Sequence, residues 1–137
     1  MSLLCLVAGA VTVALNLPQD RFTLSWTHSV EKLRWEETYL VSPDGLLLQE
    51  ARVRGSGAGM EPPEGARLMD DGSWRYEPKL PVLPELSLAA SGYTDDYLLC
   101  ANALCRPLGS ILGPGPNGVI LKPCPHGTKT NTRLSPD

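Results

Sequence analysis

Apolar residues in this chain fall in short, evenly broken runs rather than at helical spacing. From Arg21 to Val30 they alternate, with Phe22, Leu24, Trp26 and His28 on one face and Thr23, Ser25, Thr27 and Ser29 on the other. The run from Leu33 to Val41 repeats the pattern, setting Leu33, Trp35, Glu37, Tyr39 and Val41 together. A period of two is that of a strand, whose successive side chains point to opposite faces. If Val30 and Glu31 form the turn between these runs, His28 faces Leu33 and Trp26 faces Trp35. A Trp–Trp cross-strand pair is reason enough for such a hairpin. Ser42-Pro43-Asp44-Gly45 then has the Pro and Gly positions of a type I turn, and "LLLQEARVRG" from Leu46 to Gly55 reads as the next strand.

Toward the N-terminus, Leu3–Ala8 and Val11–Leu17 read as two buried strands joined by a tight turn at Gly9. Asp71-Gly72 marks the tip of a short hairpin. Pro81 and Pro84 keep their stretch extended but out of a central ladder position, with a strand predicted from Glu85 to Ala90. A last hairpin turns around Ala101–Ala103. No segment carries a sustained 3.6-residue period. These signals predict an all-β, single-domain chain, a small β-sandwich or partly open β-barrel of about eight antiparallel strands over residues 1–108. Residues 109–137 are rich in Pro and Gly, offer only Gly118–Lys122 as an edge strand, and read as a poorly ordered tail.

Composition narrows the function classes. The 137 residues are 42% hydrophobic and 20% charged, an ordinary globular balance for one domain. A net charge of −3 without any run of basic residues argues against nucleic acid, whose binding rests on phosphate neutralisation by clustered Lys and Arg. The apolar stretch Leu3–Leu17 is shorter than the roughly 20 residues of a spanning helix. It also lacks the basic flank of a signal peptide, which favours a cytoplasmic, non-spanning protein over an exported one. Cys5, Cys100, Cys105 and Cys124 allow three pairings. The leading expectation is four reduced thiols acting as small apolar residues, with a Cys100–Cys105 disulfide across the last hairpin as the alternative.

Candidate chemistry is sparse. In "RGSGAGMEPPEG", Arg54, Gly55, Ser56, Gly57, Gly59, Met60 and Glu61 look at first like a phosphate cradle. A P-loop needs Gly-Lys-Ser/Thr leading into a helix, and this loop offers a carboxylate and two prolines instead. A chain crossover using Gly at positive φ explains it better, while an anion nest of backbone N–H groups stays open. His28 is expected as a hydrogen-bonded residue of an apolar face; a ligand-binding His steered by Glu31 or Glu37 is the sharper reading. Glu36 and Glu37 must point to opposite faces, so they make no carboxylate pair. Glu37 shares the Trp35/Tyr39 face and is expected to need an ion-pair partner, Arg52 or Arg54. Ser29 is turned away from His28, and no nucleophile elbow is present. Cys124 and His126 find no matching pair at zinc spacing. No cofactor motif, no metal site and no catalytic constellation emerge.

The stretches "WTHSVEKLRWEETY", "EARVRGSGAGMEPPEGA", "DDGSW" and "LCRPL" occur in an order that resembles an uncharacterised bacterial family of small β proteins. The family's genes commonly neighbour those of TAXI-type TRAP transporters, which import solutes with an extracytoplasmic binding protein. The resemblance therefore implies a non-enzymatic accessory or interaction protein of such a system, with transporter subunits as partners. It also implies that an extracytoplasmic location is open, because relatives carry export signals or anchors. On this reading "HSVE" (His28, Ser29, Glu31) and "GSGAGME" form the contact face. The alternative is a module binding a small anionic solute with the Gly55–Gly59 loop and His28.

Overall fold

A computed structural model describes residues 2–27, 34–54, 65–89, 97–112 and 118–131. The chain folds as a β-sandwich of two antiparallel sheets that do not close into a barrel. Its elements in order are β1 (Ser2–Ala8), β2 (Val11–Leu17), β3 (Arg21–Thr27), β4 (Arg34–Ser42), β5 (Gly45–Arg54) and β6 (Arg67–Leu68). They continue with β7 (Trp74–Tyr76), β8 (Leu86–Ala89), β9 (Leu98–Ala101), β10 (Leu104–Pro107), the one-turn α1 (Leu108–Leu112) and β11 (Gly118–Pro123). The smaller sheet runs β2-β1-β11-β8, and the larger β10-β9-β3-β4-β5-β7-β6.

Period-two patterning is what makes the sandwich. Leu4, Leu6, Ala8, Val13, Leu15, Leu17, Val119 and Leu121 point inward from the small sheet. They meet Phe22, Leu24, Tyr39, Val41, Leu46, Leu48 and Leu99 from the large one. Leu4, Leu6, Leu24, Leu46, Leu99 and Leu121 have no exposed surface, and each fully buried side chain of this size contributes about 1.5–3 kcal/mol. Gly9, at φ 60°, closes the β1–β2 turn, and the β9–β10 turn places Asn102 and Ala103 at φ 54° and 69°, both left-handed as a two-residue hairpin loop requires.

The β4–β5 pairing contains a bulge. Thr38 pairs with Glu50 but Tyr39 pairs with Leu48, so Gln49 is extra. The extra residue switches the phase of β5. Leu46 and Leu48 face inward before it, and Ala51 and Val53 after it.

The segment expected as a disordered tail is ordered over its described residues. β11 is no edge strand: it lies between β1 and β8, with Leu6↔Leu121 and Leu86↔Leu121 as paired positions. Beyond it, the Cys124 amide donates to the Leu3 carbonyl at 3.0 Å. Asn131 reaches the open edge of β2, where the Ala14 amide donates to its Oδ1 at 2.8 Å and its own amide donates to the Ala14 carbonyl at 3.2 Å. Covering an exposed strand edge in this way satisfies its free polar groups. The strand expected at Gly118–Lys122 is present, but its three apolar residues Val119, Ile120 and Leu121 gave no sign that it would lie between two other strands.

The cysteines also differ from the leading expectation. Cys5 is bonded to Cys124 and Cys100 to Cys105, leaving no free thiol. The second bridge joins directly paired positions of the β9–β10 hairpin. The first could not be found from sequence, since it depends on β11 lying beside β1.

Candidate functional site

Three cross-strand rows on the inner face of the large sheet lead from the core toward the end where β3 and β5 finish. Phe22, Tyr39 and Leu48 face one another in the first, with the Phe22 and Tyr39 rings stacked at 5.4 Å. The second row is Leu99, Leu24, Glu37, Ala51 and Tyr76. The third is Trp26, Trp35, Val53 and Trp74. The first row is covered by the small sheet. The tryptophans of the third row remain half-buried, as do Tyr76 and Tyr97.

The aromatic residues of the third row lock together. Trp26 and Trp35 are paired as the hairpin pattern predicts, with ring centres 6.4 Å apart and planes 8° from parallel. Tyr97, entering β9, also packs against Trp26, with ring centres 5.4 Å apart and planes tilted by 54°. Aromatic pairs of this kind add about 0.5–1.5 kcal/mol beyond area burial.

Glu37, in the second row, is the one acidic side chain of these rows, whose other members are apolar or aromatic. Along β4 its same-face neighbours are Trp35 and Tyr39, and across the sheet Leu24 and Ala51. Its hydrogen bond comes from the Tyr39 hydroxyl, which donates to Oε1 at 3.2 Å. Burial raises the Glu37 carboxyl above its ordinary value, and the Tyr39 hydrogen bond only partly offsets this. Burial, with the Glu37 charge second, pushes the phenols of Tyr39, Tyr76 and Tyr97 up. The three tyrosines therefore stay protonated as hydrogen-bond donors.

The expected ion pair for Glu37 is not formed with Arg52. Register puts Arg52 opposite Glu36, on the outer face. There Arg52 lies 3.5 Å from Glu50 and 3.8 Å from Asp71, while Glu36 lies 3.5 Å from Arg34. Arg54 ends β5 opposite Arg34, and its side chain lies outside the described residues. Glu36 and Glu37 do face opposite ways, as alternation requires.

His28, Ser29 and Glu31, and Gly55, Ser56, Gly57, Gly59, Met60 and Glu61, lie outside the described residues. Their anchors are described. Thr27 pairs with Arg34, Arg34 with Arg54, and Leu98 with Ser25. The chain thus enters both the "HSVE" and the "GSGAGME" stretches from the end of the large sheet that carries the aromatic row.

A second feature lies on the outer side. Arg52, Arg75 and Arg67 face one another across β5, β7 and β6. Glu50 answers the first two. Arg75 Nη2 donates to its Oε2 at 2.7 Å, while Arg75 Nε, 2.7 Å from Oε1, is too poorly aligned to count as a hydrogen bond. Arg67, Arg75, Tyr76 and Lys79 line a cleft of about 710 Å³, with Glu77 as its acidic member. Sequence reasoning missed this cluster, because its members are separated in the chain and only the β5–β7–β6 register assembles them. Among the described residues no group of three or more His, Cys, Asp or Glu could hold a metal ion. None of the described helices is long and apolar enough to cross a membrane.

Residues 22–108 match the model of a family described as a domain of unknown function, DUF1850. That span holds the whole large sheet except the first residue of β3; β1, β2 and β11 lie outside it. No curated protein matches the chain, and no solved structure does.

Proposed function

The chain belongs to the DUF1850 family of unknown function, and from that premise we propose that it is a non-enzymatic accessory protein of a TAXI-type TRAP transport system. Its contact face is the end of the large sheet that carries the aromatic row. The observation that carries this reading is the row Tyr97, Trp26, Trp35, half-buried on the inner face, with Trp26 and Tyr97 packed against the margin of the core. Aromatic residues presented on rigid strands, next to a polar anchor, are the composition of binding hot spots. The association with a transporter comes from the family resemblance of the motifs. Two disulfides support an oxidising compartment, which makes the extracytoplasmic side the working location in place of the cytoplasm.

Affinity capture of the tagged native protein from gently solubilised membranes tests the association. Transporter subunits are expected in the eluate. Their absence, from protein shown to be folded and abundant, overturns it.

The second reading is a module for a small anionic solute, and the Arg67–Arg75–Lys79 cleft favours it. On this reading the anion lies beside β6 and β7, while the Gly55–Gly59 loop lies outside the described residues. A carboxylate at 100 times its Kd stabilises by about 2.7 kcal/mol, roughly 9 °C for a chain of this size. A carboxylate panel that shifts wild type, but not an Arg67→Ala/Lys79→Ala variant, supports it; no shift with any member excludes it.

A further inference from the structure

We propose that Glu37, with Trp26, Trp35 and Tyr97 beside it, forms a recognition site for a small alkylated ammonium ion. This uses the same end of the sheet as the docking face but does not depend on any transporter association.

Three observations carry it. Glu37 sits on the inner face of β4, a central strand of the large sheet. Inward charges that protect sheet edges belong on edge strands, so edge protection does not account for it. A carboxylate set among Leu24, Ala51 and aromatic rings loses hydration that one hydrogen bond from Tyr39 does not restore. Among the described residues no Lys or Arg supplies the opposite charge: Arg34, Arg52 and Arg75 are all engaged on the outer face.

The missing charge and the surrounding chemistry point to the same ligand. Cations are held over the faces of tryptophan and tyrosine rings, and quaternary ammonium groups are held best because they are weakly hydrated. The Trp26 and Trp35 rings are near-parallel and half-buried, and Tyr97 is tilted by 54° against Trp26. Trp35 neighbours Glu37 on the same face of β4 and Trp26 lies opposite Trp35, so rings in two orientations share a sheet face with one carboxylate. Glu37 supplies the counter-charge and the rings supply contact with the alkyl groups. An anion is excluded from this position by Glu37 itself.

The chain provides its own reporter. Its three tryptophans are Trp26, Trp35 and Trp74, all in the same cross-strand row. Intrinsic fluorescence of the full, disulfide-intact protein is followed while choline is added, and separately its uncharged isostere 3,3-dimethyl-1-butanol. A saturable change with choline is expected, at least tenfold weaker with the isostere and at least tenfold weaker in Glu37→Gln. Circular dichroism confirms that the variant is folded. If Glu37→Gln does not fold, Trp35→Leu takes its place, followed through Trp26 and Trp74, with the same loss expected. The proposal is overturned if choline gives no saturable change, if the isostere binds equally, or if the variant binds choline as wild type does. Because the titration contains no transporter subunit, its failure is separate from a failure of the capture experiment.

Discussion

The two disulfides should differ sharply in what they contribute, and the difference follows from topology. Cys5–Cys124 spans 119 residues and ties β1 to the end of β11; Cys100–Cys105 spans 5 and closes a hairpin already held by its own ladder. Cross-linking restricts the unfolded chain in proportion to the logarithm of the loop it closes. The chain-entropy relation gives about 5 kcal/mol for the long loop and about 2 kcal/mol for the short one at 25 °C. Unfolding entropy of about 2.1 cal/mol/K per residue converts these to losses of roughly 17 °C and 7 °C in Tm. The perturbations are Cys5→Ala/Cys124→Ala and Cys100→Ala/Cys105→Ala, measured by calorimetry under identical conditions. Cys5 is buried, so truncating it adds a small cavity cost in the same direction. Reducing the wild type with a thiol supplies the control without truncation. The reasoning is refuted if the hairpin pair costs as much as the long-range pair, or more.

The remaining expectations concern single positions. Glu37→Gln should raise stability by roughly 1 kcal/mol at neutral pH, the scale of a half-buried, incompletely bonded charge. The folded carboxyl is raised, facing Tyr39, Tyr76 and Tyr97, so the wild type is relatively favoured below the unfolded value of about 4.3 and loses that advantage as pH rises through the folded one. Urea titrations at pH 4 and pH 8 should therefore show the gain only at pH 8. Gly45→Ala should cost about 2 kcal/mol or more, since a Cβ there would overlap the Leu83 carbonyl oxygen and stand 2.8 Å from its carbon, both backbone atoms. Thermal unfolding checks it, and an unchanged Tm contradicts the close approach of β5 to Leu83. Asn131→Ala should cost about 1 kcal/mol through its lost side-chain bonds to Ala14 and Thr12. Removal of 113–137 should abolish cooperative unfolding, because β1 and β8 lose the strand between them.

Local pairing was legible in the sequence and long-range pairing was not. Alternation in 21–41 located the β3–β4 hairpin, its register and the Trp26–Trp35 pair. The same reasoning found the β1–β2 turn, the Asp71-Gly72 tip and the last hairpin, all contacts between near neighbours in the chain. β11 was expected only as an edge strand, because a short apolar run among prolines does not reveal that it pairs with both β1 and β8, which are distant in sequence. The bulge at Gln49 was visible in principle, as the inward positions jump from Leu48 to Ala51. That jump is also what sends Arg52 to the outer face with Glu36 and leaves Glu37 with Tyr39. The Arg52–Arg75–Arg67 row had no sequence signature, since three strands contribute one residue each.

The central claim is that the end of the large sheet carrying Trp26 and Trp35 is the binding face. Photo-crosslinking in the native cell tests it most directly, with benzoyl-phenylalanine replacing Trp35 at that end and, as control, Asp44 in the opposite turn. The account expects an adduct with a transporter subunit from position 35 and none from position 44. An adduct from position 44 alone, or none from position 35 in a folded protein, would contradict it.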